Sequence, residues 1–251
     1  MDKEDYLKEF EPFVYKDYEL RLPYRLYIPR AYRRGNVENQ NFPLVVFLHG
    51  AGERGTDNIK QITANEGATV WASDEVQAKH PCFVLAPQCP EDSYWGTSFR
   101  TVGSSEYLEP NALLATVNVI IEKLVDNYPI DVSRIYITGL SMGGFGSIAL
   151  MTMCPDRFAA SVVVCGGGNV QKAYKIAKIP IWFFHAEDDD VVPIHFTRDL
   201  VRELERLGAP VKYTEYPKGY MSSLGLPPHA SWVPTYRNKE MIDWLFEQRK
   251  K

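Results

Sequence analysis

A serine flanked by glycines, between a predicted strand and a predicted helix, constrains this chain more than any other feature. The segment Gly-Leu-Ser-Met-Gly-Gly at residues 139–144 follows a β-branched run and precedes a stretch of small and apolar residues. The glycines on either side leave room for a sharp, strained turn that lifts the hydroxyl of Ser141 clear of the sheet. The amide of Met142 then points from the helix N-terminus toward an incoming oxyanion. Such a turn is typical of the nucleophile of a serine hydrolase, provided that the chain also supplies a base and an acid.

The remaining hydrophobic pattern predicts an α/β fold. A continuous apolar run at residues 43–48 marks a strand buried on both faces of a parallel sheet, and further buried strands are predicted at residues 82–86, 135–138, 160–165, 179–184 and 211–216. Helical patterns separate them at residues 111–128, 144–153, 196–207 and 239–248. Residues 13–28 alternate between apolar and polar and predict two antiparallel edge strands. We therefore expect one domain over residues 1–251, a doubly wound, mostly parallel sheet with N-terminal antiparallel edge strands. Residues 165–179 leave no space for a large lid.

Composition and charge exclude several classes of protein. A hydrophobic content of 45% and a charged content of 24% are ordinary for a soluble globule. The net charge of -4, without a basic block, argues against a nucleic-acid partner. No apolar run has the length of a membrane span, and no apolar segment follows the acidic N-terminus, so we expect a cytoplasmic protein without a signal peptide. Secretion would require a leader that had been removed.

The cysteines do not indicate a metal site. They lie in or beside apolar runs and lack the spacing of metal ligands, which predicts reduced thiols of the core. These residues are Cys82, Cys89, Cys154 and Cys165. We expect neither a metal nor an organic cofactor, and the sequence does not determine an oligomeric state.

His229 is the preferred candidate for the base, because it lies in a loop after the last predicted strand. The other histidines have simpler structural interpretations. His49 belongs to a glycine-rich loop that it can brace, His80 precedes a proline in a surface turn, His185 ends a buried strand, and His195 begins a helix.

Three consecutive aspartates, at residues 188–190, follow a buried strand and provide the candidate acids. Asp188 or Asp190 could equally cap the helix that begins near residue 196. The residues alone leave the choice of the acid open.

The segment Leu-His-Gly-Ala-Gly-Glu-Arg-Gly at residues 48–55 follows the first central strand. Its glycines allow the backbone to turn and direct amides into a site. It lacks the Lys-Ser/Thr ending of a phosphate-binding loop, so an oxyanion loop is the preferred interpretation.

Five segments, at residues 47–55, 85–90, 139–144, 185–193 and 229–232, resemble the α/β-hydrolase superfamily. The chain most resembles its lidless carboxylesterases and predicted peptidases, which include feruloyl esterases and polyhydroxybutyrate-depolymerase-like enzymes.

This resemblance implies that Ser141 is the nucleophile, His229 the base and Asp189 the acid, with Asp190 as the alternative. The family acid stands four residues after the histidine of a His-Gly-x-x-Asp-x-x-Val-Pro motif, and this chain departs from that motif in having Ala186 in place of the glycine.

The resemblance further implies that the amides of Ala51 and Met142 form the oxyanion hole, with Gly52 as a substitute for Ala51. Trp95 and Trp232 are candidate walls of a substrate pocket, although Trp95 could equally hold its own loop and Trp232 could instead brace the loop of His229. Arg100 is a candidate partner for a substrate carboxylate, and a solvated arginine is the alternative.

The expected activity is that of a serine carboxylesterase. It would hydrolyse short-chain acyl or aryl esters, such as acetyl or feruloyl esters of plant polysaccharide, through an acyl-enzyme. The expected partner is a small-molecule ester. A serine peptidase is the alternative, because the same triad cleaves amides, and a non-catalytic binding protein on this scaffold is the third candidate.

Overall fold

The apolar runs of the sequence assemble into one eight-stranded sheet in a computed structural model that describes residues 3–17, 20–35, 40–102, 105 and 108–250. The strands are β1 (Phe10–Lys16), β2 (Arg21–Tyr27), β3 (Phe42–Leu48), β4 (Phe83–Pro87), β5 (Ile130–Leu140), β6 (Ala160–Val164), β7 (Ile181–Ala186) and β8 (Val211–Tyr216). Their order across the sheet is β1-β2-β4-β3-β5-β6-β7-β8. The sheet is therefore open, with β1 and β8 at its two edges.

Strands β3 to β8 run parallel to one another, whereas β2 pairs antiparallel with both β1 and β4. Every residue of β3, β4, β6 and β7 is buried, as expected for strands covered on both faces. The doubly wound, mostly parallel sheet is confirmed. The N-terminal antiparallel strands are found at one edge of the sheet as well, where β1 is the outermost strand and β2 joins it to β4.

Helices of the described chain pack on both faces of the sheet. They are α1 (Lys3–Glu9), α2 (Arg30–Arg33), α3 (Lys60–Thr63), α4 (Asp74–Lys79), α5 (Phe99–Val102), α6 (Ala112–Asn127), α7 (Met142–Met153), α8 (Ala173–Ile176), α9 (His195–Arg206), α10 (Tyr220–Ser223), α11 (Trp232–Tyr236) and α12 (Lys239–Glu247). Because side chains alternate along β3, Val46 joins the core under α6 to α9, and Phe47 joins the core under α3, α4, α11 and α12.

The sequence located the longer elements and missed the short ones. Strand β5 begins at Ile130 rather than at residue 135, and α7 begins at Met142 rather than at residue 144. The helices α1 to α5, α8, α10 and α11 were not predicted, because four to seven residues give too little periodicity to recognise.

Between β6 and β7 the chain forms only a 3-10 turn at Val170–Lys172 and the four-residue helix α8. No cap is inserted there, in agreement with the expectation from residues 165–179. Among the described residues, none of the helices combines the length and the apolar character needed to cross a membrane. All four cysteines are free thiols, and three of them are buried.

Candidate active site

Ser141 occupies the turn between β5 and α7 in a strained backbone conformation, with φ 52° and ψ -120°. A positive φ is costly for a residue with a side chain, and the surrounding packing must enforce it. Two glycines make the close contacts that hold Ser141 in this conformation. A Cβ on Gly139 would lie 2.2 Å from the carbonyl oxygen of Gly143, and a Cβ on Gly143 would lie 1.8 Å from that of Leu48. The turn therefore closes only because both flanking positions lack a side chain.

The structure brings Ser141, His229 and Asp189 into one hydrogen-bonded row. The Oγ of Ser141 lies 3.0 Å from Nε2 of His229. The Nδ1 of the same ring lies 2.7 and 2.9 Å from the two carboxylate oxygens of Asp189. Because a carboxylate only accepts, Nδ1 carries the ring hydrogen and leaves the Nε2 lone pair facing the serine hydroxyl. This arrangement can withdraw a proton from Ser141.

Asp189 is the aspartate of the 188–190 run that reaches His229. Its side chain has no exposed surface, and Oδ1 accepts hydrogen bonds of 2.9 Å from the amides of both Val191 and Val192. Burial opposes ionisation of the carboxyl, but the hydrogen bonds from His185 and His229 outweigh it and hold the pKa of Asp189 well below its usual range. The carboxylate is therefore charged and fixed in orientation.

The other two aspartates of the run have different surroundings. Asp188 accepts a hydrogen bond of 2.9 Å from the amide of Gly219, and Asp190 is exposed. The alternative assignment of the acid to Asp190 is therefore not supported by the contacts of His229.

His185 is a contact of the site that sequence reasoning treated only as a buried core residue. Its Nε2 lies 3.1 Å from Oδ2 of Asp189 and 3.1 Å from the carbonyl oxygen of Val192. Both partners are acceptors, so Nε2 carries the hydrogen and donates to the carboxylate oxygen Oδ2, which Nδ1 of His229 also contacts. The four-residue spacing between His185 and Asp189 was the available signal.

Backbone amides for an oxyanion come from two elements. Ala51 begins the 3-10 turn Ala51–Glu53, and Met142 begins α7, so neither amide has a carbonyl partner within its own turn. In the described chain these amides form no other hydrogen bond, and the same holds for Gly52, the alternative to Ala51. Ala51, Gly52 and Met142 all line the pocket of Ser141. The structure thus places the predicted donors at the site without choosing between Ala51 and Gly52.

His49 controls the orientation of the Ala51 amide through the preceding peptide group. Its Nδ1 lies 2.6 Å from the carbonyl oxygen of Gly50, and its Nε2 accepts a 2.9 Å hydrogen bond from the amide of Cys89. In a trans peptide the C=O and N–H bonds point in opposite directions. Holding the Gly50 carbonyl against the buried imidazole therefore directs the Ala51 N–H away from the core.

The His49 ring is kept neutral by its surroundings. Burial lowers its pKa from 6.5 to about 4. The Cys89 amide donates its hydrogen to Nε2, so Nε2 carries no hydrogen. The single ring hydrogen therefore lies on Nδ1, which donates it to the carbonyl oxygen of Gly50. The prediction that His49 braces the loop agrees with these contacts.

The cavity beside Ser141 has a volume of about 340 Å³. Apolar side chains of Leu140, Phe145 and Val191 line it together with both predicted tryptophans. Trp232 is half-buried, and its ring meets that of His229 edge-on at 5.2 Å. Trp95 is only 1% exposed and packs against His49 at 5.4 Å, so most of its surface serves the core rather than the cavity.

The remaining histidines lie outside this cavity. His80 pairs with Asp243 at 2.9 Å and stacks on Phe246, and His195 is exposed at the start of α9. Ligand atoms of Cys165, Asp189 and His229 lie within 4.8 Å of one another, the one such grouping in the described chain. Because Asp189 and His229 already bind each other, we assign no metal to it.

Sequence and structure comparisons identify the family and the fold of this chain. The family model described as phospholipase/carboxylesterase matches residues 36–225. Among solved structures, a thermostable esterase is 51% identical and superposes with a TM-score of 0.91 over 97% of this chain and 64% of that chain.

Curated relatives match shorter segments. A poly(3-hydroxyalkanoate) depolymerase C from Paucimonas lemoignei is 28% identical over 127 residues, which is 51% of this chain and 28% of the depolymerase. A bifunctional acetylxylan esterase/xylanase from Neocallimastix patriciarum is 36% identical over 77 residues, 30% of this chain and 11% of that protein. The chain spans 64% or less of the length of each of these three relatives.

The α/β-hydrolase fold and the esterase relationship inferred from the sequence are confirmed. Because the matched range covers most of the chain and the fold is that of a solved esterase, this protein belongs to the phospholipase/carboxylesterase family.

Proposed function

We propose that this protein is a serine carboxylesterase that hydrolyses short-chain acyl or aryl esters through an acyl-enzyme. The observation that carries the proposal is the row of hydrogen bonds from Ser141 through His229 to Asp189 beside a cavity whose lining includes the backbone amides of Ala51 and Met142, which have no hydrogen-bond partner in the described chain. A nucleophile, a base, an orienting acid and oxyanion donors are the four parts that acyl transfer needs.

In the first step, His229 Nε2 takes the proton of Ser141 while Oγ forms a bond to the ester carbonyl carbon. The carbonyl electron pair moves onto oxygen, and the amides of Met142 and Ala51 stabilise that charge. The imidazolium, stabilised by Asp189, then protonates the leaving alcohol as the C–O bond breaks.

In the second step, His229 takes a proton from water, and the resulting hydroxide attacks the acyl carbon. Collapse of the tetrahedral intermediate releases the acid and returns the proton to Ser141. Side chains and amides of this chain handle every proton and electron pair, so the mechanism requires no cofactor.

The cavity supports small acyl or aryl groups. Its volume of about 340 Å³ is near the lower end of ligand pockets, and the aromatic walls from Phe145 and Trp232 suit a short apolar group. Acetyl esters of polysaccharide are one candidate class, in keeping with the name of the acetylxylan esterase relative. Feruloyl esters are a second, because Trp232 provides an aromatic surface at the cavity wall.

Replacing Ser141 with alanine should reduce ester turnover by about 10^4-fold or more while the protein stays folded. The measurement is a rate series on p-nitrophenyl esters from acetate to laurate, with methyl ferulate alongside. Ser222→Ala, in the exposed part of α10, is the control and should retain full turnover. A maximum at short chains that disappears only in Ser141→Ala is the expected result.

An alanyl anilide in the same series separates the other function classes. Cleavage of the anilide without ester turnover would instead establish a serine peptidase. No turnover of any of these substrates, together with no labelling of Ser141 by a serine-reactive phosphonate, would favour a binding protein.

A further inference from the structure

Two arginines line the cavity of Ser141, and neither forms an ion pair within the described part of the chain. They are Arg54, in the loop after β3, and Arg100, in α5. Nine other arginines of the described chain pair with a carboxylate. Within the described part of the chain, Arg54 and Arg100 therefore lack the carboxylate partner that the nine other arginines have.

Arg54 is held in place without being neutralised. Its Nε donates to the carbonyl oxygen of Ala51 at 3.0 Å, and its Nη1 donates to that of Ser93 at 3.3 Å. The guanidinium also lies 4.8 Å from the centre of the Tyr94 ring. Neutral carbonyls and an aromatic face orient the group and leave Nη2 without a partner in the described chain. A fixed guanidinium loses little conformational entropy when it binds an anion.

Arg100 adds a second positive charge above an apolar wall. It is exposed, forms no hydrogen bond within the described chain, and lies 5.8 Å from the centre of the Phe99 ring. Phe99 stacks in turn on Phe145 at 5.1 Å, and both rings line the cavity. A ligand with an apolar body and an anionic end can contact this wall and a guanidinium together.

Glu53, the one acidic side chain that lines the cavity within the described chain, does not cancel these charges. Its Oε1 accepts a hydrogen bond from Asn65, and its Oε2 is shielded from solvent 3.8 Å from His49. It forms no ion pair with either arginine. The cavity thus carries an excess of positive charge in a chain whose net charge is -4. A cleft with an excess of one sign of charge concentrates ligands of the opposite sign.

We propose that Arg54 and Arg100 form an anionic subsite, and that the preferred substrates are esters that also carry a carboxylate. This class includes half-esters of dicarboxylic acids and acyl esters of hydroxy acids. The proposal rests on the esterase function above and narrows it. The carboxylate binds at the arginines while the ester carbonyl lies over Ser141, and the bond cleavage itself is unchanged.

Two pairs of substrates test this preference, and in each pair a carboxylate is exchanged for a neutral amide of similar shape. The first is 4-acetoxybenzoate against 4-acetoxybenzamide, with the charge on the leaving group. The second is monomethyl adipate against the methyl ester of adipamic acid, with the charge on the acyl group. We expect kcat/KM to favour the anionic member of at least one pair by about tenfold, as for a charge-assisted hydrogen bond.

Variants at Arg100 test whether the preference for anionic esters depends on the proposed subsite. Arg100→Gln should remove most of the preference, because it lowers kcat/KM for the anionic esters more than for their neutral partners, and Arg100→Lys should restore part of it. Arg21→Gln removes an exposed arginine that lies on β2 and does not line the cavity, so it should have no effect.

Turnover of p-nitrophenyl acetate with no preference in either pair would overturn the anionic subsite and leave the esterase function standing. A preference that survives in Arg100→Gln, or that Arg21→Gln removes equally, would also overturn it. No turnover of any ester, p-nitrophenyl acetate included, would remove the proposed function and the subsite together.

Discussion

At the scale of single residues, the choice among three adjacent aspartates shows how finely this site depends on position. Asp188, Asp189 and Asp190 have the same chemistry, yet only Asp189 has a fully shielded side chain that contacts two histidines. Its two amide donors come from the chain immediately after it. Local turn geometry therefore fixes the carboxylate, and the tertiary fold brings His229 to it.

Asp189→Asn should lower kcat/KM for p-nitrophenyl acetate by about 10^3- to 10^4-fold, because the amide neither stabilises the imidazolium nor selects the productive tautomer. Asp190→Asn is the matched control and should stay within about twofold of the parent protein. Both rates are measured at pH 8 with folding checked by circular dichroism. A larger loss in Asp190→Asn than in Asp189→Asn would reverse the assignment.

At the scale of elements, the unit of strand β5, turn and helix α7 is locked against its neighbour β3. Gly143 lies under the carbonyl of Leu48, the last residue of that buried strand. The backbone of a central strand cannot move aside without breaking its pairing with β4 and β5. The strained φ of Ser141 persists because this packing leaves the turn no alternative.

Gly143→Ala should lower the free energy of unfolding by about 3 kcal/mol or more, since its methyl group would overlap a main-chain oxygen. Gly52→Ala is the control, because no atom lies within 4 Å of the added Cβ, and it should change stability by less than about 1 kcal/mol. Urea denaturation of the three proteins measures both effects. Equal stability of Gly143→Ala and the parent protein would contradict the packing described above.

At the scale of the whole molecule, His49 connects the loop after β3 to the chain after β4 from a fully buried position. The ring is neutral in the native protein, because burial holds its pKa at about 4, whereas an unfolded histidine titrates near 6.5. Between these two values the unfolded chain binds a proton that the native protein does not. Acid therefore favours the unfolded state over that interval.

The contribution of His49 to stability should be fully present above about pH 6.5 and should decline as the pH falls to about 4. The loss is on the order of 3 kcal/mol. Urea denaturation at pH 7 and pH 4 measures it. His49→Gln should be less stable at pH 7 but lose less on acidification, whereas His195→Gln, at an exposed position, should follow the parent protein. An equal loss in His49→Gln and the parent protein would rule out this origin of acid sensitivity.

The sequence alone specified the features that depend on residues close together along the chain. The apolar runs predicted the buried strands, because a strand covered on both faces needs apolar side chains at every position. Residues 139–144 predicted the turn at Ser141, because only glycines permit so close an approach of two backbones. The resemblance of five short segments was sufficient to indicate Ser141, His229 and Asp189 as candidates.

Contacts between distant parts of the chain were decided only by the tertiary structure. Ser141 and His229 are 88 positions apart, and Asp189 and His229 are 40 apart, so no spacing rule links them. The placement of β2 beside β4, the hydrogen bond of His185 to Asp189 and the hydrogen bond of Arg54 to the carbonyl oxygen of Ser93 arise in the same way. Each depends on which backbone and side-chain groups meet once the sheet has formed. The sequence specifies the chemistry of these groups, whereas tertiary packing determines which groups they contact.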